Sequence, residues 1–374
     1  MKFSDIPGHE EVKQRLRRMV ADNRLPHALL LYGPEGIGKL MMARALASYI
    51  HCSSPTADGD SCGRCPSCLQ HASHNHVDTH FTFPTLKKKS DDSGYSSDYM
   101  EQWRAFLDEE PFADITDWPE RLGKANGQPV IYVGEAEALS RDLSYTPRVS
   151  DYKVAIVWLP ERLQDNAANK LLKLIEEPFA DTRLIFVSNN HQEILPTIFS
   201  RLQRIEMRRY SDKELMEAMS RYYPAISRTD AANVVPAAEG NVIKVKSMVV
   251  EGTNSEMLKE FSSMMRMAFQ RKLGDLRRWG DAMAGRGREW TMKYLDYCCR
   301  MMRENFINNT GIPDMTRMTA AEQQFCSKFS PFINSRNVLG LIEQFEKAKR
   351  DIAANGNAKI VLFDMSLHVI LLIK

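Results

Sequence analysis

Short apolar runs alternate with longer amphipathic stretches through the first half of the chain. Sequence with apolar residues at helical spacing follows each of four such runs, at residues 29–32, 130–133, 154–157 and 184–187. A strand–helix–strand order of this kind is typical of a parallel sheet flanked by helices. The pattern therefore predicts an α/β fold for this part of the chain.

Only helical spacing remains after about residue 210. Residues 210–252 are predicted to form a small helical segment, and residues 254–374 a longer helical part that is rich in Met, Leu and Phe. The apolar tract at residues 359–373 is interrupted by Asp364, Ser366 and His368, so it predicts a buried helix and not one that spans a bilayer. The sequence shows no internal repeat.

Length and charge further limit the number of domains and the kinds of partner that we expect. The chain has 374 residues, 43% of them hydrophobic, with 50 basic and 48 acidic side chains. This length predicts two or three domains, and the near balance of charge means that any contact with nucleic acid must come from a local patch. Without an apolar signal segment or a spanning tract, we expect a cytoplasmic protein with reduced thiols and no membrane contact.

The segment GPEGIGKL after the first apolar run departs at one position from the phosphate-binding loop G-x-x-x-x-G-K-[ST]. Gly33, Gly36 and Gly38 supply the turns, and Lys39 is placed to reach phosphate oxygens. The next position normally carries a hydroxyl that helps to hold Mg²⁺, and here it is Leu40. The segment predicts a degenerate nucleotide site; a plain glycine-rich turn is the alternative.

A second metal-binding position is also apolar. In P-loop ATPases an apolar strand ends in an Asp, which holds Mg²⁺ together with the loop hydroxyl. The run VAIV continues instead into Trp158, Leu159 and Pro160, and the first carboxylate is that of Glu161. We therefore expect no Mg²⁺, and ATP binding at the loop is doubtful.

Four of the seven cysteines follow the pattern C-x9-C-x2-C-x2-C; they are Cys52, Cys62, Cys65 and Cys68. Two close C-x-x-C turns can direct four thiolates at one ion in a reducing compartment. The spacing predicts a structural Zn²⁺ site, with no open position for a catalytic water. A redox pair and incidental cysteines are the alternatives.

The other cysteines and the nearby histidines are predicted to play no part in this site. Since four thiolates complete a zinc shell, we expect surface loop positions for five histidines, namely His51, His71, His74, His76 and His80. Cys298, Cys299 and Cys326 lie in helical sequence and are predicted to be small buried hydrophobic side chains.

Two polar stretches have no assigned chemistry. Residues 84–128 are predicted to be an irregular insertion that begins with an exposed loop at residues 85–99. The lysines at positions 87–89 are interpreted as a solvated charge run, with a phosphate contact as the alternative. The basic and aromatic segment at residues 266–290 is interpreted as a solvated helix with Trp in an interface, with a phosphate-binding strip as the alternative.

Several longer segments carry a family resemblance. They are FSDIPGHEEVKQRL, RLPHALLLYGPEGIGK, the cysteine insertion directly after the loop helix, DNAANKLLKLIEEP and TIFSRLQRI. Together they resemble the clamp-loader AAA+ family of bacterial DNA polymerase III over about the first 210 residues. The resemblance implies an AAA+ domain at residues 1–209 with a zinc module at about 52–70, a helical lid at 210–252 and an all-α collar domain at 254–374.

The resemblance also implies roles for single residues. In this family a Ser-Arg-Cys triplet presents an arginine finger to ATP on the neighbouring subunit, and the matching triplet here contains Arg201. The residue that senses the γ-phosphate falls at Asn189, and the arginine of the second sensor falls at Ile243, beside Lys244. The departures imply a subunit that does not hydrolyse ATP itself.

The partners implied by the resemblance are the gamma/tau ATPase and the delta subunit, in a hetero-pentamer. The sliding clamp and primer–template DNA would be met through the whole complex. Two other functions stay open: an active clamp-loader motor ATPase, and a zinc-containing DNA-binding protein without a loader role.

Overall fold

The computed structural model describes residues 1–87, 94–113, 115–124, 127–250, 252–311 and 315–373. Contacts group the chain into two units, the first comprising Met1–Ala225 with Gly240–Lys244, and the second comprising Ile226–Glu239 with Val245–Lys374. The division into domains at residues 209 and 253 stays a prediction. Each unit is described by itself below.

The first unit is built on a five-stranded sheet. Its strands are β1 (Ala28–Tyr32), β2 (Thr79–Thr82), β3 (Lys153–Trp158), β4 (Thr182–Ser188) and β5 (Gln203–Glu206). They lie in the order β2-β3-β4-β1-β5, and every pairing is parallel. The predicted parallel α/β sheet is confirmed.

Helices cover the sheet. They are α1 (Glu10–Ala21), α2 (Lys39–Ile50), α3 (Pro66–Ala72), α4 (Met100–Glu109), α5 (Trp118–Arg121), α6 (Val133–Ser144), α7 (Asp165–Glu176), α8 (Pro196–Phe199) and α9 (Asp212–Tyr222). Successive strand residues point to opposite faces, and Leu30 and Leu31 are both fully buried, so both faces of β1 are covered. Helices α6 and α7 contribute to the core on the Leu30 face.

Two strands, β2 and β5, lie where the apolar pattern did not predict them. The run VIYV forms only isolated bridges among the described residues, Thr85 with Val130 and Ile131 with Leu163, before α6 begins. The sheet instead gains β2, whose sequence THFT pairs with β3. Thr82, the one buried residue of β2, donates a hydrogen bond to the Glu135 carboxylate at 3.0 Å, which satisfies its buried hydroxyl.

The insertion at residues 84–128 is not irregular throughout, so that prediction was wrong. It contains α4 and α5, and the side chains of Trp103, Phe106 and Trp118 are buried. The predicted exposed loop was also wrong at Tyr99, which is buried and donates to the carbonyl of Leu86 at 2.6 Å. The lysines at positions 88 and 89 lie outside the described residues.

The second unit is all-helical in its described residues, as predicted. Its helices are α10 (Arg228–Ala238), α11 (Val242–Val250, whose first turn groups with the first unit), α12 (Thr253–Phe269), α13 (Leu273–Ala284), α14 (Arg288–Asn308), α15 (Ala320–Phe329), α16 (Val338–Ala353) and α17 (Ala358–Leu372). Aromatic and aliphatic side chains such as Phe261, Tyr294 and Phe345 form one core. Cys298 and Cys326 are buried and Cys299 half-buried, close to the prediction.

Helix α17 is apolar on more than one face. Leu362 and Val369 are fully buried in the core of the second unit, whereas Ile360 and Leu371 are 68% and 69% exposed. Within the described parts of the chain, every helix is too short or too polar to cross a lipid bilayer.

Candidate nucleotide site and cysteine cluster

The glycine loop joins β1 to α2 at the carboxyl end of the sheet. Gly36 has a φ of 70°, and a Cβ on it would lie 1.9 Å from Oδ1 of Asn241. Gly38 has a φ of 80° and its Cβ would lie 2.9 Å from the Tyr210 hydroxyl. The segments around residues 210 and 241 therefore pack so closely on the loop that only glycine fits.

Lys39, the predicted phosphate ligand, is turned back into its own loop. Its Nζ donates to the backbone carbonyl of Pro34, and the residue is 4% exposed. Burial lowers the pKa of Lys39 to about 7, although the charges of Glu35 and Glu161 oppose the shift. The lysine is thus held inside the loop by a backbone carbonyl.

Both positions that would serve Mg²⁺ are filled by buried apolar side chains. Leu40 lies in the first turn of α2 and is 3% exposed. Trp158, at the end of β3, packs on Trp103 and Phe106 of α4, with ring centroids 5.2 and 6.0 Å apart. The side chain at this strand end is thus part of an aromatic cluster with the insertion.

Glu161 is a buried acid that the sequence reasoning did not assign to the site. Its Oε1 accepts hydrogen bonds from the amides of Asn189, at 2.8 Å, and Asn190, at 3.2 Å. Burial raises the pKa of the Glu161 carboxyl, and these amides oppose the rise. Glu161 therefore fixes the backbone of Asn189, the predicted sensor, at the end of β4.

The second-sensor segment lies directly on the glycine loop. The amide of Val242 donates to the carbonyl of Gly36 at 3.1 Å, and Oδ1 of Asn241 accepts from the amide of Lys244 at 3.1 Å. Ile243, the position of the expected arginine, is half-buried. The loop is thus covered here by backbone and an amide side chain.

Arg201, the predicted arginine finger, follows the short helix α8. Its side chain is 41% exposed and bonds to Glu176 at the end of α7, with Nε 2.5 Å from Oε1. Its Nη1 also donates to the carbonyl of Thr197 at 2.8 Å. The guanidinium is held at the surface, where a neighbouring molecule can approach it.

The four predicted zinc ligands lie together. The sulfur atoms of Cys52, Cys62, Cys65 and Cys68 are all within 4.8 Å of one another. The amides of Arg64 and Cys65 donate to Sγ of Cys62 at 3.5 and 3.3 Å and lower the pKa of that thiol to about 5. Converging sulfurs that accept amide hydrogen bonds fit a divalent metal such as zinc.

Comparison with known proteins agrees with this geometry. Residues 8–211, more than half of the chain, match the family model described as "DNA polymerase III, delta subunit". The chain belongs to this family. The predicted clamp-loader AAA+ resemblance is confirmed.

The curated relatives of this DNA polymerase III family member include delta′ and tau subunits. The delta′ subunit of Pseudomonas aeruginosa is 30% identical over 47% of this chain and 41% of its own length. That of Bacillus subtilis is 27% identical over 56% and 50%. The Bacillus subtilis tau subunit is 23% identical over 66% and 37%. The chain thus spans half or less of the length of these relatives.

The histidines around the cysteine cluster were wrongly predicted to be surface residues. His51, His71, His74 and His76 are all less than 9% exposed. The rings of His51, His71 and His76 stack, with centroids 4.2 to 5.1 Å apart and planes within 29° of parallel. One ring nitrogen of each of these three histidines lies within 4.8 Å of the others, and Nδ1 of His51 is 2.9 Å from Nε2 of His71, so they form a second group of possible metal ligands.

The basic segment of the second unit has internal partners for much of its charge. Arg286 pairs with Glu256 and Glu260 and lies over the Trp290 ring, and Arg278 pairs with Asp275. Trp279 is buried in the core of this unit and is not in a free interface. These contacts favour the interpretation as a solvated helix over that as a phosphate-binding strip.

Proposed function

We propose that this chain is a non-hydrolysing, delta-prime-type subunit of a DNA polymerase III clamp loader. It would stand beside a gamma/tau ATPase and a delta subunit in a hetero-pentamer that loads the sliding clamp on primed DNA. The observation that carries the proposal is the burial of Leu40 and Trp158 at both positions that should hold Mg²⁺.

The chemistry of phosphoryl transfer supports a lack of hydrolysis. Catalysis depends on a metal that bridges the β- and γ-phosphates, together with a lysine that reaches them. Leu40 and Trp158 have no oxygen to offer, and Lys39 donates to Pro34 within the loop. The glycine loop would then serve as a rigid junction onto which the segments around Tyr210 and Asn241 pack.

Arg201 supports a role in the hydrolysis carried out by a neighbour. A planar guanidinium can neutralise the charge that builds on a γ-phosphate, and it needs no nucleotide in its own subunit. Arg201 is partly exposed, and its ion pair with Glu176 is also exposed, so the pair costs little to open. We infer that the guanidinium exchanges Glu176 for a phosphate oxygen of the adjacent subunit.

The cysteine cluster and the second unit would contribute to assembly. A closed shell of four sulfurs would hold Zn²⁺ as a structural ion between Cys52 and the start of α3. The exposed Ile360 and Leu371 give α17 an outward apolar surface. Such a surface suits a collar that packs against collars of other subunits.

The test is an arginine substitution in the reconstituted complex. Arg201→Ala should preserve assembly but lower the ATPase activity that clamp and DNA stimulate. In-trans arginines contribute roughly 10³–10⁵ in rate in other P-loop systems, and a complex with several ATP sites loses only the share of one interface.

Two further variants sharpen this test. Arg201→Lys should not rescue, because an ammonium cannot make the two-pronged contact with phosphate. Arg204→Ala, which removes a nearby exposed arginine on β5, should leave the activity intact. If Arg201→Ala leaves the stimulated ATPase activity of the complex unchanged, this arginine is only a surface residue. The proposed role of the chain would then be assembly of the complex alone.

A further inference from the structure

An open groove lies in the second unit, where the last turns of α12 and α15 meet. Its volume is about 220 Å³, and its lining includes four phenylalanines, namely Phe269, Phe325, Phe329 and Phe332. This volume is below the roughly 300–1,000 Å³ of pockets that hold drug-sized ligands. The groove therefore suits one or two large side chains better than a whole cofactor.

Part of the apolar surface of this groove is open to solvent. Phe269, the last residue of α12, is 54% exposed, and its ring meets that of Phe332 edge-on, with centroids 5.2 Å apart. Phe325 is half-buried. The lining also contains the buried side chains of Met265 and Ile373. Exposed aromatic rings beside a buried apolar lining are typical of a surface that another molecule covers.

One cation from each helix lies at the groove, and neither has an ion pair among the described residues. These cations are Arg266 and Lys328, both exposed, and none of the residues that line the groove is acidic. Each occupies the last turn of its helix, where the carbonyl end of the helix dipole stabilises a positive charge. The free protein can therefore hold both cations without a carboxylate, which leaves them available to a ligand.

We propose that this groove binds a short acidic segment of a partner protein. The segment would insert one bulky apolar side chain among the phenylalanines and pair its carboxylates with Arg266 and Lys328, since opposite charges across an interface favour binding. A second copy of the chain, placed on the same face by a two-fold axis, would bring like charges together and is disfavoured.

Single-stranded nucleic acid fits the groove less well. Its bases stack on open aromatic faces beside a groove of cations that follows the strand. Phe325 and Phe329 stack on each other instead, with centroids 5.0 Å apart, so each covers one face of the other. The two cations of the described lining are also few for a strand of phosphates. The inference rests on contacts within the second unit and not on the proposed loader function.

A peptide library tests the chemistry of the partner. Octapeptides with blocked ends, each with one Trp, Phe or Leu among random residues, are screened against the immobilised full chain. The selected sequences should be rich in Asp and Glu, and Lys in place of these acids should weaken binding at least about tenfold. A screen that selects no peptide, or selects peptides without acidic residues, would overturn the proposal.

The methyl group of Met265 reports where the peptide binds. A selected acidic peptide should shift the ¹³C-labelled methyl signal of Met265 in the full chain. Arg266→Glu combined with Lys328→Glu should weaken binding roughly tenfold. Phe269→Ala should weaken it by a similar factor, because it removes an aromatic contact. All three side chains are exposed, so the fold should be kept.

A matched double variant is the control. Arg277→Glu combined with Lys359→Glu reverses two exposed cations of the second unit that do not line the groove, and it should bind the peptide as the wild type does. Equal loss of affinity in both double variants would show that net charge alone attracts the peptide. A shift of the Met265 signal by oligothymidylate but by no peptide would assign the groove to nucleic acid. Either result would contradict the proposal.

Discussion

Helix α2 joins the glycine loop to the cysteine cluster, and the two regions differ in the side chains at their predicted ligand positions. The loop keeps the backbone shape of a phosphate site, with Gly36 and Gly38 in conformations that favour glycine, but has apolar side chains at the metal positions. The cysteine cluster keeps all four ligand atoms within 4.8 Å. We therefore expect the loop to have kept its backbone shape without its metal chemistry, and the cysteine cluster to hold a metal.

The largest expected effect is the loss of metal from the cysteine cluster. The purified, reduced protein should contain about one zinc per chain, because structural zinc binds with a free energy of about 10–16 kcal/mol in zinc-finger peptides. Cys65→Ser removes one of the four thiolate ligands and should contain almost none. Elemental analysis measures the content directly.

A matched cysteine outside the cluster controls for general damage. Cys326→Ser changes a buried cysteine of the second unit and should retain zinc. Absence of zinc from freshly purified wild-type protein would contradict the prediction that the four cysteines hold a metal.

A large loss of stability is expected when Trp158, at the end of β3, is replaced by the carboxylate that the motif would carry there. Trp158→Asp should destabilise the first unit by about 4 kcal/mol or more, because it leaves a cavity beside Trp103 and buries an unpaired charge. Trp158→Phe keeps an aromatic ring and should cost less than about 2 kcal/mol. Urea unfolding followed by hydrogen exchange in β3 measures both. Equal stability of Trp158→Asp and wild type would refute the packing role of Trp158.

The parts of the fold with a local signal were predictable. Apolar runs gave β1, β3 and β4, and the glycine and cysteine spacings placed both sites before any tertiary contact was known. Strand β2 was missed because it has no apolar run, and its one buried residue, Thr82, depends on a distant partner, the Glu135 carboxylate that accepts from its hydroxyl. Nothing near residue 80 in the sequence announces that partner.

A moderate pH effect is expected at the loop lysine. Burial lowers the folded-state pKa of Lys39 from 10.5 to about 7, so the folded form is the one that loses the proton first. The unfolded chain binds more protons between these values, and stability rises with pH there. From pH 7 to pH 9 the wild type should gain about 2 kcal/mol relative to Lys39→Met.

The measurement is urea unfolding of both proteins at the two pH values, followed in β1 by hydrogen exchange. Lys39→Met removes the titrating amine but keeps the length of the side chain. A constant difference between the two proteins across this pH range would show that Lys39 is not buried as described.

The smallest effect is expected at Arg201. Its ion pair with Glu176 is exposed on both sides, so Arg201→Ala should change the free energy of unfolding by less than about 1 kcal/mol. Glu176→Gln should change it equally little. A loss of several kcal/mol in Arg201→Ala would assign the arginine a structural role and weaken its interpretation as a finger.

The buried histidines and the contacts of the insertion could not be read from the chain. Histidine is common at surfaces, and only the packing of α2, α3 and β2 shows that His51, His71 and His76 stack. Likewise, Trp103 and Trp118 lie in mixed polar sequence. Both pack against Phe83, the residue directly after β2, and this contact accounts for their burial. Tertiary partners far apart in sequence decided these features.

The central claim is that a glycine loop without its metal ligands does not hydrolyse ATP. The direct measurement is ATP turnover by the purified chain alone, and then by the chain mixed with a gamma/tau ATPase. We predict no turnover above background for the chain alone, because Leu40 and Trp158 stand at the predicted metal positions and Ile243 stands where the second-sensor arginine is expected. Robust hydrolysis by the unmodified chain would contradict the account and favour an active motor ATPase.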